Sequence, residues 1–172
     1  ILTTLLKLMA PVLSFTAEEA WWRLPHQPTE TVHLQQLPSL RQGLRDDVLN
    51  ERWQKILALR TEVARVLESA RQGKVIGHPL DAHIELVLPP SWDAEFLGQE
   101  ELLRSVLIVS GIAFVFTSEQ EDFVAATDLE GLWIRVKPAS GEKCERCWVR
   151  AETVGQFADH PKICHRCHEA LT

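Results

Sequence analysis

Cysteine is missing from the first 143 residues of this 172-residue chain and then occurs four times, as Cys144, Cys147, Cys164 and Cys167. A disulfide framework spread over a small secreted domain is thereby excluded. A membrane-spanning run is missing as well. The opening ILTTLLKLMAPVLSF is apolar, but Pro11 interrupts it, and it has neither a basic leader nor a small-residue cleavage site. No internal repeat and no low-complexity run is present, which sets aside repeat arrays and compositionally biased tracts. An initiator methionine is also lacking, and the first residues already follow an apolar period; the sequence reads as a cut through a larger protein.

What is present suffices for folded cores: 45% of the residues are hydrophobic, in a length that allows one ordinary domain or two small ones. The formal charge of -6 argues against a uniformly nucleic-acid-binding surface, but it is unevenly spread. Residues 41–74 carry eight Lys/Arg against five Asp/Glu, residues 81–134 one Arg against eleven acids, and residues 135–172 seven basic against five acidic side chains. Such a pattern fits a polyanion gripped at two places and repelled between them; ordinary surface charge is the alternative.

The cysteines stand in the order C-x2-C-x16-C-x2-C. Two Cys-x-x-Cys turns brought together by a short hairpin place four thiolates around one point, as tetrahedral zinc requires. Two disulfides or scattered buried thiols are one alternative, but nothing suggests secretion and disulfides rarely persist in a reducing cytosol. A rubredoxin-like iron site uses similar ligands, but no second feature supports electron transfer. With four thiolates no coordination position stays open for water, so one structural Zn2+ is expected.

Along the chain, residues 2–9 read as the end of a helix stopped near Pro11. Thr16 and Glu19 form a capping-box pattern that opens a second helix, ended by Pro25. Residues 25–40, with Pro25, Pro28 and Pro38, read as a connection with a short extended piece at Val32–Leu34. Asp46 or Asp47 caps a long helix running to Gln72, with Gly73 as its stop. Leu49, Trp53, Ile56, Val63, Leu67 and Ala70 form its apolar stripe, and Arg60 sits within it, either paired or snorkelling, or contacting a phosphate. Alternation predicts strands over Ala82–Leu88, Ile112–Phe116 and Leu132–Val136, with a helix over Glu100–Val109. The predicted fold class is α+β: a helical portion over 1–45, a long helix with a small α+β unit over 46–137, and a four-cysteine zinc-finger module over 138–172.

Three stretches carry a family resemblance. LMAPVLSFTAEEAWWRLP at 8–25 resembles the anticodon-binding helical domain of class I synthetases for Ile, Val, Leu and Met. WQKILALRTEVARVLESARQGKVIG at 53–77 resembles the long helix that follows it in the isoleucyl and valyl enzymes. GEKCERCW at 141–148 with CHRCHEAL at 164–171 resembles the zinc-binding tail of bacterial isoleucyl-tRNA synthetases. The finger pattern is also similar to that of formamidopyrimidine-DNA glycosylases, but the helices in front of it favour the synthetase.

The resemblance implies an ATP-dependent ligase that joins isoleucine to tRNA(Ile) in the cytoplasm, as a monomer. Its H-x-G-H and K-M-S-K-S motifs are absent here, and its editing domain, needed because binding alone separates Ile from Val poorly, is expected upstream. The fragment is thus expected to be non-catalytic and to recognise the anticodon side of tRNA, attached to the rest of its synthetase. Unstacked bases are read by aromatic or guanidinium planes, which singles out Trp148 beside Cys147; packing over the zinc is its other reading. Lys143, Arg146, Arg150, Lys162, His165 and Arg166 surround the metal, with His168, and give the tail a positive tip or simply offset the charge of the zinc centre. Arg60, Arg71 and Lys74 form a second candidate backbone contact on the long helix. A purely structural zinc appendage is the competing reading, and the acidic 81–134 stretch favours it for the middle of the chain.

Overall fold

The computed structural model describes residues 1–25, 30–39, 43, 45–117 and 121–171, with the backbone alone at 93 and 94. The chain divides into two compact units, Ile1–Asp47 and Val48–Thr172.

In the first unit, α1 (Leu2–Met9) and α2 (Ser14–Trp22) bury Leu6, Ala10, Ala17, Trp21 and Leu24 together with Val32. Helix α2 starts earlier than the capping-box pattern predicts. Leu13 is its N-cap and makes no side-chain cap bond, so Thr16 lies inside the helix. The turn after Pro11 closes on Met9 O through the Val12 and Leu13 N–H groups, and helical bonding resumes at once with Ala17 N donating to Leu13 O. Glu18 does the anchoring instead, accepting from Thr31 Oγ1 at 2.7 Å, Val32 N at 3.0 Å and Trp22 Nε1 at 2.7 Å. Val32–Leu34 is a 3₁₀ turn, not an extended piece, because Thr31 Oγ1 accepts from His33 N and curls the chain. Residues 26–29 and 40 of the predicted connection, Pro28 among them, fall outside the described residues.

The second unit is built on α3 (Asp47–Gln72). Ile56, Leu59, Val63, Val66 and Leu67 are its buried stripe, whereas Leu49 and Trp53 are exposed, and Arg60 lies on the exposed flank. The stripe is shifted towards the C-terminal half of the helix, where the sheet unit meets it. Gly73 does not provide the left-handed stop. That role falls to Lys74, at φ 58, with Val75 N closing on Ala70 O.

The sheet has the order β2-β1-β4-β3, from β1 (Ala82–Val87), β2 (Gly111–Phe114), β3 (Val124–Ala125) and β4 (Trp133–Pro138). Strands β1 and β2 are parallel, which requires a crossover, supplied by α4 (Asp93–Phe96) and α5 (Glu100–Leu107). Ile84, Leu86 and Leu88 all face one core, as their alternation predicts, with Phe96, Leu103, Leu107, Leu132 and Ile134. Helix α5 ends two residues before the predicted Val109 because Ile108 turns left-handed at φ 57. Glu62 is a buried acid in this core; its Oε2 accepts from Thr127 N at 2.8 Å and Arg65 Nη2 at 2.9 Å and so ties α3 to the segment after β3. Among the described residues no helix is long and apolar enough to cross a membrane.

Only residues 139–141 separate β4 from the hairpin β5 (Glu142–Lys143) and β6 (Arg150–Ala151), and a short α6 (His165–Glu169) completes the tail. Gly141, at φ 81, is required there: a Cβ would lie 2.4 Å from the Ala151 carbonyl carbon.

A four-cysteine candidate metal centre

The β5–β6 turn carries the first cysteine pair. Cys144 N donates to Val149 O at 3.0 Å and Trp148 N to Cys144 O at 2.9 Å. Cys164 is the N-cap of α6, and its carbonyl accepts from Cys167 N at 3.0 Å and His168 N at 2.9 Å. Cys164 N donates to Cys144 Sγ at 3.3 Å, and Glu145 N to Lys162 O at 3.0 Å, so each turn braces the other. The four Sγ atoms all lie within 4.8 Å of one another, with Cys147 and Cys164 at 3.6 Å. Bonds of about 2.3 Å from zinc to sulfur give tetrahedral edges of about 3.8 Å, so the set fits one such ion. Cys144, Cys164 and Cys167 are buried, and Ala151, Val154 and Ile163 pack around the cluster. Among the described residues no other group of His, Cys, Asp or Glu is placed to hold a metal.

Burial pushes the Cys144 thiol up, but the backbone N–H groups of Cys147, Cys164 and Arg146 outweigh it and bring the thiol down to about 6. At Cys164 burial prevails and pushes the thiol up to about 12. A bound divalent cation deprotonates all four, and the resulting centre carries a net charge of about -2. Burial pushes Cys167 up, and the Arg146 guanidinium beside it acts the other way. Arg166 is raised, first by its contact with Cys147. Arg146 and Arg166 therefore lie against the sulfurs, where they offset that charge.

The remaining sequence-predicted residues fall into three groups. Trp148 is held at φ 65 by the turn and is 58% exposed, with Lys143 Nζ 5.5 Å from its ring centroid. Lys162 pairs with Glu145 at 2.8 Å and His165 with Glu169 at 3.3 Å, both on the surface. Arg150 turns towards the sheet unit, its Nε donating to Asp81 Oδ1 at 2.9 Å. On α3, exposed Arg60 and Arg71 line one groove with His78 and Ile108, but both Nε and Nη2 of Arg71 are engaged by Glu68, and Lys74 lies outside the groove.

Three contributors, Phe157, Asp81 and Ser110, are not among the residues that the sequence singles out. The aromatic packing of the tail belongs to Phe157, stacked on His168 at 4.1 Å, with His168 hydrogen-bonded to Asp159. Phe157 is the only Phe between Phe123 and the C-terminus, which is the one signal that could have marked it. Asp81 and Ser110 carry no local signal of their contact with Arg150.

Two stretches of the chain, the helical part with the start of the sheet and the terminal four-cysteine module, have counterparts among known protein families. The anticodon-binding domain of tRNA ligase matches residues 1–86, and the zinc finger found in FPG and IleRS matches residues 141–169. The isoleucine–tRNA ligase of Syntrophotalea carbinolica is 43% identical over 100% of this chain, that of Geobacter sulfurreducens 42% over 99%, and that of Moorella thermoacetica 39% over 96%. In each case the chain spans 18% of the relative's length. The chain belongs to the anticodon-binding domain family of tRNA ligases and carries, at its end, the zinc finger found in FPG and IleRS.

Proposed function

We propose that this chain is the anticodon-side tRNA-recognition region of an isoleucine–tRNA ligase, the enzyme that charges tRNA(Ile) with isoleucine using ATP. It supplies no catalytic group of its own and works attached to the rest of the synthetase, as a cytoplasmic monomer. The observation that carries this reading is 43% identity along the whole chain to one such ligase, combined with a four-cysteine cluster at its end. Trp148 is the base-stacking side chain, with Lys143, Arg146 and Arg166 as the cationic surround. Lys162 and His165 add weaker phosphate attraction from the rim, where surface carboxylates already engage them. Arg60 and Arg71 on α3, with Lys74 just past its end, provide a second backbone contact, Arg60 contributing most because Glu68 competes for Arg71. Arg150 takes no part in this surround, because its guanidinium is engaged by Asp81.

One observation favours the structural-appendage reading: Arg150, a candidate RNA contact, is committed to Asp81. The DNA-glycosylase reading shares the finger but not the helices matched over residues 1–86. The test is binding of the zinc-loaded chain to an isoleucine-tRNA transcript, a non-cognate tRNA and duplex DNA over a salt series. Preference for the cognate transcript that disappears with zinc removal is expected. Equal, weak binding to all three would overturn the reading in favour of the appendage.

A further inference from the structure

We propose that Asp81, Ser110 and Arg150 form a latch that holds the zinc module in one orientation on the β1–β4 sheet; its consequence, that Trp148 is presented to RNA already aligned, rests on the recognition reading above. Residues 139–141 are the module's covalent link to β4, and three such residues do not fix an angle. The latch supplies what the link lacks. Arg150 Nε donates to Asp81 Oδ1 at 2.9 Å, across 69 positions of sequence. Arg150 N donates to Ser110 Oγ at 2.8 Å, across 40 positions, and the same hydroxyl donates to Leu80 O. Arg150 Nη1 reaches back to Gly141 O at 3.4 Å.

Asp81 is tied down in its turn. Its Oδ2 accepts from His78 N at 3.0 Å and its carbonyl from Ala139 N at 2.7 Å, while Ser110 N donates to Ala82 O at 3.0 Å. One arginine of the module thus meets the end of the loop after α3, the start of β1 and the start of β2. The Arg150 and Asp81 side chains are 34% and 22% exposed, so solvent screens this pair less than a rim pair such as Lys162–Glu145, at 72% and 63%. A cation selected only for RNA contact would point away from the sheet unit; this one points into it.

The test uses the zinc-loaded chain and compares amide residual dipolar couplings and 15N relaxation in residues 142–169 with those in β1–β4. The parent should give one alignment tensor for both. Arg150→Met, and independently Asp81→Asn, should keep one zinc per chain but give two tensors, with added nanosecond motion confined to the module. Asn at 81 has one oxygen, which the His78 N–H claims, so its amide turns a donor towards Arg150. The double variant should be no looser than either single one, and Arg150→Lys should restore most of the alignment. A single shared tensor in Arg150→Met, or in Asp81→Asn if the former loses zinc, overturns the latch. In the RNA arm, Asp81→Asn should bind the isoleucine-tRNA transcript about tenfold more weakly than the parent. Parental affinity despite divergent tensors would overturn the presenting role, whereas a parent that binds no transcript would sink the recognition reading and leave the tensors to decide the latch.

Discussion

Replacing Glu62 tests how the long helix holds the sheet unit. Its carboxylate is 3% exposed and receives the Thr127 N–H at 2.8 Å and the Arg65 guanidinium at 2.9 Å on one oxygen. Glu62→Ala removes both bonds and strands the Thr127 N–H; a buried unsatisfied donor costs about 1–3 kcal/mol, and the lost charge-assisted bond about 1 kcal/mol more. The expected destabilisation is therefore about 2–4 kcal/mol in urea unfolding, with faster exchange of the Thr127 amide. Glu62→Gln keeps an acceptor and loses the charge, for a cost of about 1 kcal/mol. The Thr127 N–H lowers the Glu62 carboxyl, burial opposes it, and Arg65 lowers it further, for a net depression. A depressed carboxyl stabilises the fold above its unfolded value of about 4.3 and loses that contribution as pH falls through the folded value. The stability gap between parent and Glu62→Gln should hold from neutral pH down to about 5, begin to shrink as pH falls below the unfolded value of about 4.3, and close only once pH has passed the lowered folded value. A gap independent of pH, or Glu62→Ala costing under about 0.5 kcal/mol, would refute the account of this contact.

Other outcomes follow from the same contacts. Chelation of zinc should unfold residues 141–171 while the β1–β4 amides stay protected, because Cys144, Cys164 and Cys167 are the buried centre of the tail; heteronuclear spectra before and after chelation read this directly. Cys144→Ser should reproduce the metal-free spectrum, and one zinc per chain in that variant would contradict the ligand assignment. Trp148→Ala should leave thermal stability within about 0.5 kcal/mol of the parent, since the ring is 58% exposed, yet lower affinity for the tRNA transcript by about 1–3 kcal/mol. Ile108→Asn should stabilise the chain by about 0.5–1 kcal/mol in urea melts, because a β-branched residue at φ 57 is strained where Asn is tolerated.

The cysteine spacing made the metal centre legible, because ligand geometry leaves few alternatives for two Cys-x-x-Cys turns. Period-two alternation gave β1 and the burial of Ile84, Leu86 and Leu88 for a similar reason: one face of that strand meets the core. The long helix was legible in extent but not in facing. Leu49 and Trp53 continue the apolar period of α3 and are nevertheless exposed, since periodicity records which side is apolar and not what covers it. Thr16 failed as a cap because backbone bonding from the Pro11 turn had already begun the helix. Strand β3, two residues long, carries too little pattern to be read. The facing of Arg150 escaped altogether: a positive charge between two cysteine pairs looks the same whether its partner is a phosphate or an aspartate 69 positions away.

The three-residue link between β4 and β5 bounds what the tail can do when its contacts let go. Fully extended, residues 139–141 span about 10–11 Å. The finger is therefore confined to a short radius about the end of β4, and Arg150 never leaves the neighbourhood of Asp81. Release amounts to a tilt, and re-engagement is a local search at an effective concentration on the millimolar scale. The tail behaves as a hinged plate with a short arm, able to adjust its angle by small amounts and unable to reach a distant target.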